Sequence, residues 1–536
     1  MKRQFLTWAG ATTTLFFLIA PQSARAADYQ ADPSNYRDML SQLQPGDTLH
    51  LAAGTYEHLL NITNLNGSQD AWITITGPES GDPAIFVADP GPCCNTVEIR
   101  DSSYVAIEHI TVDGNHVDGA FGLSAKDGTS NLVHHIRVSY CTFINHEASQ
   151  QTVAISTKTP TWGWIIDHNH ILEAGTGLYL GNSNGTMPFV AGIIEYNLIE
   201  NTVGYDMEIK WQQPRPQVEG MPTTPQSTII RHNVFIKDDR PSPDGDRPNL
   251  LVGGFPDSGP GSEDLYVIYG NFFYHNPRES LLQVSGRVSI HDNIFVDVPG
   301  TAILLRNHDL PLKLAHVYNN TIFAAGRGIA LASSPVEEAH IMGNLIFSDN
   351  PITGVDQWQL SNIADSPSAA SNYVTNPSTT LGDMDFYPLP NGSCKDQPLP
   401  LGDFVIADQD SYWLIDFNGT DKGDFLYRGA YAGEGSNPGW ALDRGIKDAP
   451  SNPHPNPDGG LSDGGLPDGG PNSGDATLST DGSPSSADGG SSKSGSSGGC
   501  DCRTETQNPL QDNLLWILLF AGIILAQTTH RHHREG

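Results

Sequence analysis

From about Val97 to Gly354 the chain repeats one pattern of apolar and polar positions: an apolar pair, two or three polar residues, an Asn, one further residue, then Ile or Phe. The copies read IIDHNHI ending at Ile171, IIEYNLI at Ile199, IIRHNVF at Phe235, VIYGNFF at Phe273, SIHDNIF at Phe295, VYNNTIF around Asn320 and IMGNLIF around Asn344. The Asn recurs at 169, 197, 233, 271, 293, 320 and 344, in steps of 22 to 38 residues, and earlier copies carry Cys141 and Ile110 in its place. Periods in this range signal a solenoid. The units are short, β-branched and alternating, with Gly and Asn at their corners, so the pattern predicts parallel β rungs and not stacked helices. Asn at a tight corner tolerates unusual backbone angles and can bond to the rungs above and below, so the Asn series reads as a column of corner pins.

A second strand follows each Asn corner. Aligned on inward apolar pairs, these strands are Leu123/Ala125, Val153/Ile155, Leu178/Leu180, Met207/Ile209, Leu250/Val252, Leu282/Val284, Ile303/Leu305 and Ile329/Leu331. Side chains alternate faces along a strand, so the intervening residues point outward in two columns. The first is Ser124, Ala154, Tyr179, Glu208, Leu251, Gln283, Leu304 and Ala330; the second is Lys126, Ser156, Gly181, Lys210, Gly253, Ser285, Arg306 and Ala332. Glu208 and Lys210 then share a rung with Asp206, Tyr179 stands next to Glu208, and Gly181 and Gly253 flank Lys210 to leave a shallow groove. The insertions WQQPRPQVEGMPTTPQ and KDDRPSPDGDRPN border it, and loops of that length in a tightly stepped coil build ligand walls.

The ends of the chain add location. Lys2 and Arg3, an apolar run through Leu15 to Ile19 and the small-residue site Ala24-Arg25-Ala26 predict an export signal over 1–26. The β domain is expected over 27–447 and a disordered Gly/Ser/Asp/Pro linker over 448–499. A Cys-containing membrane or sorting tail is expected over 500–536, with the apolar run Leu514 to Ala526 ahead of His530 to Arg534. Export places the chain at the cell surface or outer membrane, or in the medium after tail processing. In an oxidising compartment Cys93, Cys94, Cys141 and Cys394 read as structural, with Cys93 or Cys94 a candidate to bridge to Cys141 or Cys394. No cysteine spacing matches a zinc site. With 28 basic and 61 acidic residues the formal charge is −33, which argues against nucleic acid as a partner.

At this point the chain resembles the right-handed parallel β-helix proteins, the superfamily of pectate lyases and related polysaccharide lyases and hydrolases. The stretch LQPGDTLHLAAGTYEHLLNI with AWITITGPE resembles the opening coil of those enzymes, and DFNGT with YRGAYAGEG resembles the last coil of many bacterial β-helix proteins. The Gly-Cys, apolar and Arg ending resembles the C-terminal sorting tags of myxobacterial surface proteins. The resemblance implies an all-β, right-handed parallel β-helix of about ten rungs. It carries over no catalytic motif, because one such coil hosts lyases, hydrolases, epimerases and adhesins.

The chemistry the groove suggests is proton abstraction beside a uronate carboxyl group. That reaction needs a cation on the carboxylate, a base, and an acid for the departing oxygen. Lys210 is the candidate base, Tyr179 the acid and Glu208 a third catalytic group. Arg215, Arg306, Gln283 and Trp211 are candidates to bind substrate. Asp206 with Glu208 is a candidate calcium site through oxygen ligands. The plainer alternative is a Glu-Lys pair on a solvated strand. The acidic loop Asp238, Asp239, Asp244 and Asp246 reads as an ordinary acidic loop before a calcium site, and His168, His170, His232 and His291 as turn residues. The expectation is a monomeric polysaccharide-binding and polysaccharide-cleaving protein, favoured as a lyase. A glycoside hydrolase or a non-catalytic adhesive coil are the alternatives.

Overall fold

A computed structural model describes residues 26–89, 95–354, 357–404 and 412–448. The export signal apart from Ala26, the linker beyond Asp448, the tail and both Cys93 and Cys94 lie outside the described residues. Among those described, no helix is long and apolar enough to cross a membrane.

The chain winds as a parallel β-helix. One face is a 13-stranded all-parallel sheet running from Asp28–Ala31 through Ile73–Thr76, Val133–Ser139, Ile193–Glu195, Leu265–Tyr269 and Leu312–Tyr318 to Gln359–Leu360. Two more faces make up a 21-stranded sheet, because Thr321–Leu331 and Leu345–Thr353 run unbroken around the corner between them. The coil extends beyond the Asn phrases at its N-terminal end, where Asp28–Ala31, Thr48–Leu51 and Ile73–Thr76 pair in turn without any Asn to mark them. The helix Tyr36–Leu40 packs there, and its Tyr36 ring meets Tyr56 and Phe86 at 5.1 and 5.6 Å.

Each repeat folds this way because its corner supplies its own hydrogen-bond partners. The Asn column is buried, and each backbone N–H and side-chain amide donates to the carbonyl oxygen of the Asn in the next rung. Asn197 does so to Asn233 at 3.1 and 2.9 Å, and Asn271 to Asn293 at 3.0 and 2.9 Å. Each amide also donates to a main-chain carbonyl of the previous rung, as Asn271 does to Ile230 at 2.8 Å. Cys141 begins the column as a backbone donor to Asn169, and Asn362 ends it. The unusual backbone angle belongs not to the Asn but to the residue before it: His168, Tyr196, His232, Gly270, Asp292, Asn319, Gly343 and Ser361 all have φ between 50° and 66°. That left-handed residue turns the chain through the corner, and the Asn that follows locks the turn. His168 and His232 serve there as expected, stacked on Tyr196 at 5.0 Å on either side.

Inside the coil the residues two after each Asn stack on their own kind: Phe235 on Phe273 at 4.8 Å and Phe273 on Phe295 at 4.7 Å, each pair contributing about 0.5–1.5 kcal/mol beyond its area. The DFNGT and YRGAYAGEG segments do not form a last coil. The segments 367–404 and 412–448 lie along the outside, where Phe417, Ala430, Tyr431 and Leu442 cover the outward Val234, Phe272, Ile294 and Val296. The reason is area: that flank is apolar on its outer side as well, and burying it outweighs adding another turn. Asp416 organises the cover by accepting from the N–H groups of Asn418, Thr420 and Ala432 at 2.7 to 2.9 Å.

Cys141 and Cys394 are free thiols, both buried, so the expected bridge to either is corrected. Cys141 fills an Asn slot and points its sulfur at the carbonyls of Ser139 and Ile107. Burial pushes its thiol up to about 12 and that of Cys394 up to about 11, which makes both poor nucleophiles.

Candidate functional site

Strand pairing sets which residues neighbour one another on the outer flank. Met207–Ile209 lies between Thr176–Leu180 and Leu250–Val252, with Tyr179 opposite Glu208 and Glu208 opposite Leu251. One rung differs from the sequence alignment by two residues. Ile155 and Thr157, not Val153 and Ile155, pair with Leu123 and Ala125, which puts Ser156 next to Tyr179. Thr157 takes an inward place usually held by an apolar residue, because its hydroxyl accepts from the Gly181 N–H at 2.9 Å. The second outer column therefore runs Lys126, Lys158, Gly181, Lys210, Gly253, Ser285, Arg306, as the ladder bonds Lys158 N–H to Ala125 O and Lys210 N–H to Leu180 O require. Ser156 leaves that column and Lys158 enters it.

Glu208 and Lys210 form the floor. Lys210 Nζ donates to Glu208 Oε1 at 2.8 Å, with the two side chains 15% and 4% exposed, so this is a largely dehydrated ion pair and not a solvated one. Tyr179 stands beside it, its ring 5.7 Å from Lys210 Nζ and 5.5 Å from the exposed Lys158 Nζ, so one ring faces two ammonium groups. A Cβ on Gly181 would stand 3.3 Å from that of Lys210, and one on Gly253 would strike the Trp211 nitrogen at 2.2 Å. The chain after Ile209 thus crosses Gly253 directly. Trp211 anchors to Ser183 O at 3.0 Å and rests against Gly185, which makes it a wall.

The far side comes from a residue the periodic pattern does not mark. The loop after Thr301–Leu305 folds back down the flank, with Leu310 seated on Gly254, where a Cβ would collide at 2.5 Å. This return seats half-buried His308 on the flank, its carbonyl accepting from the Ser285 hydroxyl at 3.4 Å and its ring 3.6 Å from exposed Asp309, where the charges of Lys210, Glu208 and Arg306 also reach it. Burial lowers the His308 pKa from 6.5; Lys210 and Arg306 add to that, and Asp309 and Glu208 only partly offset it. A lowered pKa favours the neutral imidazole, the form a proton acceptor needs. Its signal in the sequence is slight, a His two residues past Arg306 in RNHDLP. Tyr205 completes this side under Arg247, whose guanidinium carbon is 5.6 Å from the ring; burial and the Glu208 charge raise its pKa.

The other candidate residues take different places. Arg215 is corrected as a substrate clamp: its side chain is 1% exposed, paired with Asp264 and donating to the carbonyls of Pro222 and Thr224. It holds the 212–226 insertion together from inside. Gln283 is buried two rungs from Glu208 with Leu251 between them, and Arg306 is exposed three rungs from Lys210.

Asp206 points to the outer side yet is sealed from solvent, because the 237–249 insertion folds back over it. Ser242 ties that insertion to Val203 O, and Gln150 ties it to Gly245 O and the Asp244 N–H. Asp206 accepts from the Thr202 hydroxyl at 2.7 Å, its second oxygen has no partner, and burial pushes its pKa up to about 7 against the nearby Lys237 charge. The calcium expectation does not fit this arrangement. Calcium asks for six to eight oxygens, whereas here Glu208 is paired with Lys210 and Asp206 is sealed beneath the insertion, with the Lys237 ammonium bonded to the Gly204 carbonyl nearby. Nor do Asp206 and Glu208 belong to any cluster of three metal-capable groups among the described residues. In the acidic loop Asp238 pairs with Arg240, and Asp239 lies 3.1 Å from His275 outside the loop.

No protein-family model matches the sequence, and no curated protein does. Solved structures similar to the chain include an alginate lyase from Paenibacillus sp., 14% identical, covering 63% of this chain and 99% of that one at a TM-score of 0.29. A lacto-N-biosidase from Eubacterium ramulus is 11% identical and covers 63% and 68% at 0.36. The A-module of a mannuronan C-5 epimerase from Azotobacter vinelandii is 12% identical and covers 62% and 89% at 0.39. At these identities and scores the likenesses carry no argument about activity, and the functional reading rests on the groove's own residues.

Proposed function

We propose that the groove binds an acidic extracellular polysaccharide and cleaves it by β-elimination. The observation that carries this reading is the placement on one flank of Lys210, bonded to Glu208, with Tyr179 beside it and His308 on the returning loop. Lys210, with Arg306 and Lys158 further along, would receive carboxylates of the chain. His308 would remove the proton beside the uronate carboxyl group in place of Lys210, whose ammonium group is engaged by Glu208. The electron pair released forms a carbon–carbon double bond, the glycosidic carbon–oxygen bond breaks, and the departing oxygen takes a proton from the Tyr179 hydroxyl. Export by the 1–26 segment and surface retention through 500–536 belong to the same proposal, and the mass of the surface-released protein tests them.

The test is absorbance of unsaturated uronate when the purified protein is incubated with pectate, alginate and glycosaminoglycans. At least one polymer should give signal, and Lys210→Ala should abolish it. Reducing ends without unsaturation would indicate a hydrolase. Binding with neither product would indicate an adhesive coil, and silence with no binding would remove the proposal.

A further inference from the structure

A second cluster of functional groups lies on the 13-stranded sheet, whereas the groove strands belong to the 21-stranded one, and it does not rest on the polysaccharide reading. Leu312–Tyr318 pairs with Glu338–Met342 so that His316 faces His340 and Leu314 faces Glu338. Glu338 and His340, two apart on one strand, therefore share the outer face with His316 on the next. The Glu338 carboxylate stands between the two rings: Oε1 is 3.2 Å from His316 Nε2 and Oε2 is 3.3 Å from His340 Nε2. All three donor groups offer atoms within 4.8 Å of one another.

We propose that His316, Glu338 and His340 bind a divalent metal ion of the zinc class. Metal bonds of about 2.0–2.1 Å in a tetrahedral site set neighbouring ligand atoms about 3.3–3.4 Å apart, close to the spacing found here. Two imidazoles and one carboxylate suit zinc and its transition-metal neighbours, whereas calcium requires an all-oxygen shell. The donors sit on paired strands and not on loops. His316 is nearly buried, and the His340 ring packs on Phe404 with centroids 4.4 Å apart, so little reorganisation is needed. Water takes the fourth position. The ion would cross-link two successive rungs where Leu399, Leu401 and Phe404 settle against Tyr318 and Met342.

The experiment uses full-length protein stripped with a chelator and then titrated with Zn²⁺, with thermal unfolding as the readout and Co²⁺ visible absorption as the second. Wild type should gain about 3 °C at a hundredfold excess over Kd, and the gain should vanish near about pH 5, where imidazoles are protonated. Glu338→Gln and His340→Asn, both at partly exposed positions, should lose the gain and one equivalent of tetrahedral Co²⁺ absorption. Comparing wild type with variants cancels metal bound elsewhere, such as at Cys500, Cys502 or His530, His532 and His533. A gain retained in both variants, or no gain in wild type, overturns the proposal.

Discussion

The corner that carries the Asn column and the flank that carries Lys210 are products of the same stacking, yet they use it in opposite ways. At the corner every rung from Asn169 to Asn362 places one residue type in one role, and each amide is saturated by its neighbours. On the flank the same register sets Lys126, Lys158, Gly181, Lys210, Gly253, Ser285 and Arg306 in one line, where after the first two lysines no neighbour matches the next. Where a column repeats, stacking has been used for stability; where it varies, the coil is a frame that sets unlike groups side by side, which is what a binding groove needs.

That contrast can be broken from either side. The largest effect is expected at Asn271→Ala, which strands the buried N–H of Asn233, takes one acceptor from the Asn233 amide and removes the amide donor to the Ile230 and Tyr269 carbonyls. Denaturant unfolding should show a loss of about 3–5 kcal/mol. Next is the double variant Glu208→Gln with Lys210→Met, which removes a buried pair while keeping its shape. Stability should change by no more than about 1 kcal/mol, and turnover of the responsive polymer should fall about 100-fold or more. Comparable losses of stability and turnover there would merge the two columns into one structural class. A smaller change is expected from His308→Gln. In wild type kcat/KM should rise with pH through a group titrating below 6.5 and then level off, since a base works only when deprotonated and burial lowers this one. The variant should lose that acid limb and about 10–100-fold in rate. Lys158→Ala should have the mildest effect, raising KM about threefold in low salt and less in high salt, because this cation is exposed.

The coil was legible from the sequence because its repeat is carried by residues with a single structural use, the Asn at the corner and the Ile or Phe two places on. The flank was legible as far as alternation goes. Glu208, Lys210 and Tyr179 are where alternation puts them, but Val153–Thr157 offers two inward pairs, and the polar Thr157 hid the correct one, taking Lys158 out of view. Alternation also says which way a side chain points and not what covers it. Asp206 points outward and is buried beneath an insertion whose partners, Gln150 and Val203, lie far back in the chain. Arg215 sits on an insertion whose anchor, Asp264, is 49 residues away, and His308 on a loop that reverses direction, so neither contact has a periodic signature.

Successive corner Asn residues are bonded across separations as short as 18 residues and as long as 38, with amide contacts of 3.0 Å in both cases. Each corner therefore resets the phase of the chain whatever length of segment came before it. Grafting a foreign segment in place of 212–226 or 237–249 should leave the turns beyond it undisturbed, which makes this coil a chassis whose rim can be exchanged one segment at a time.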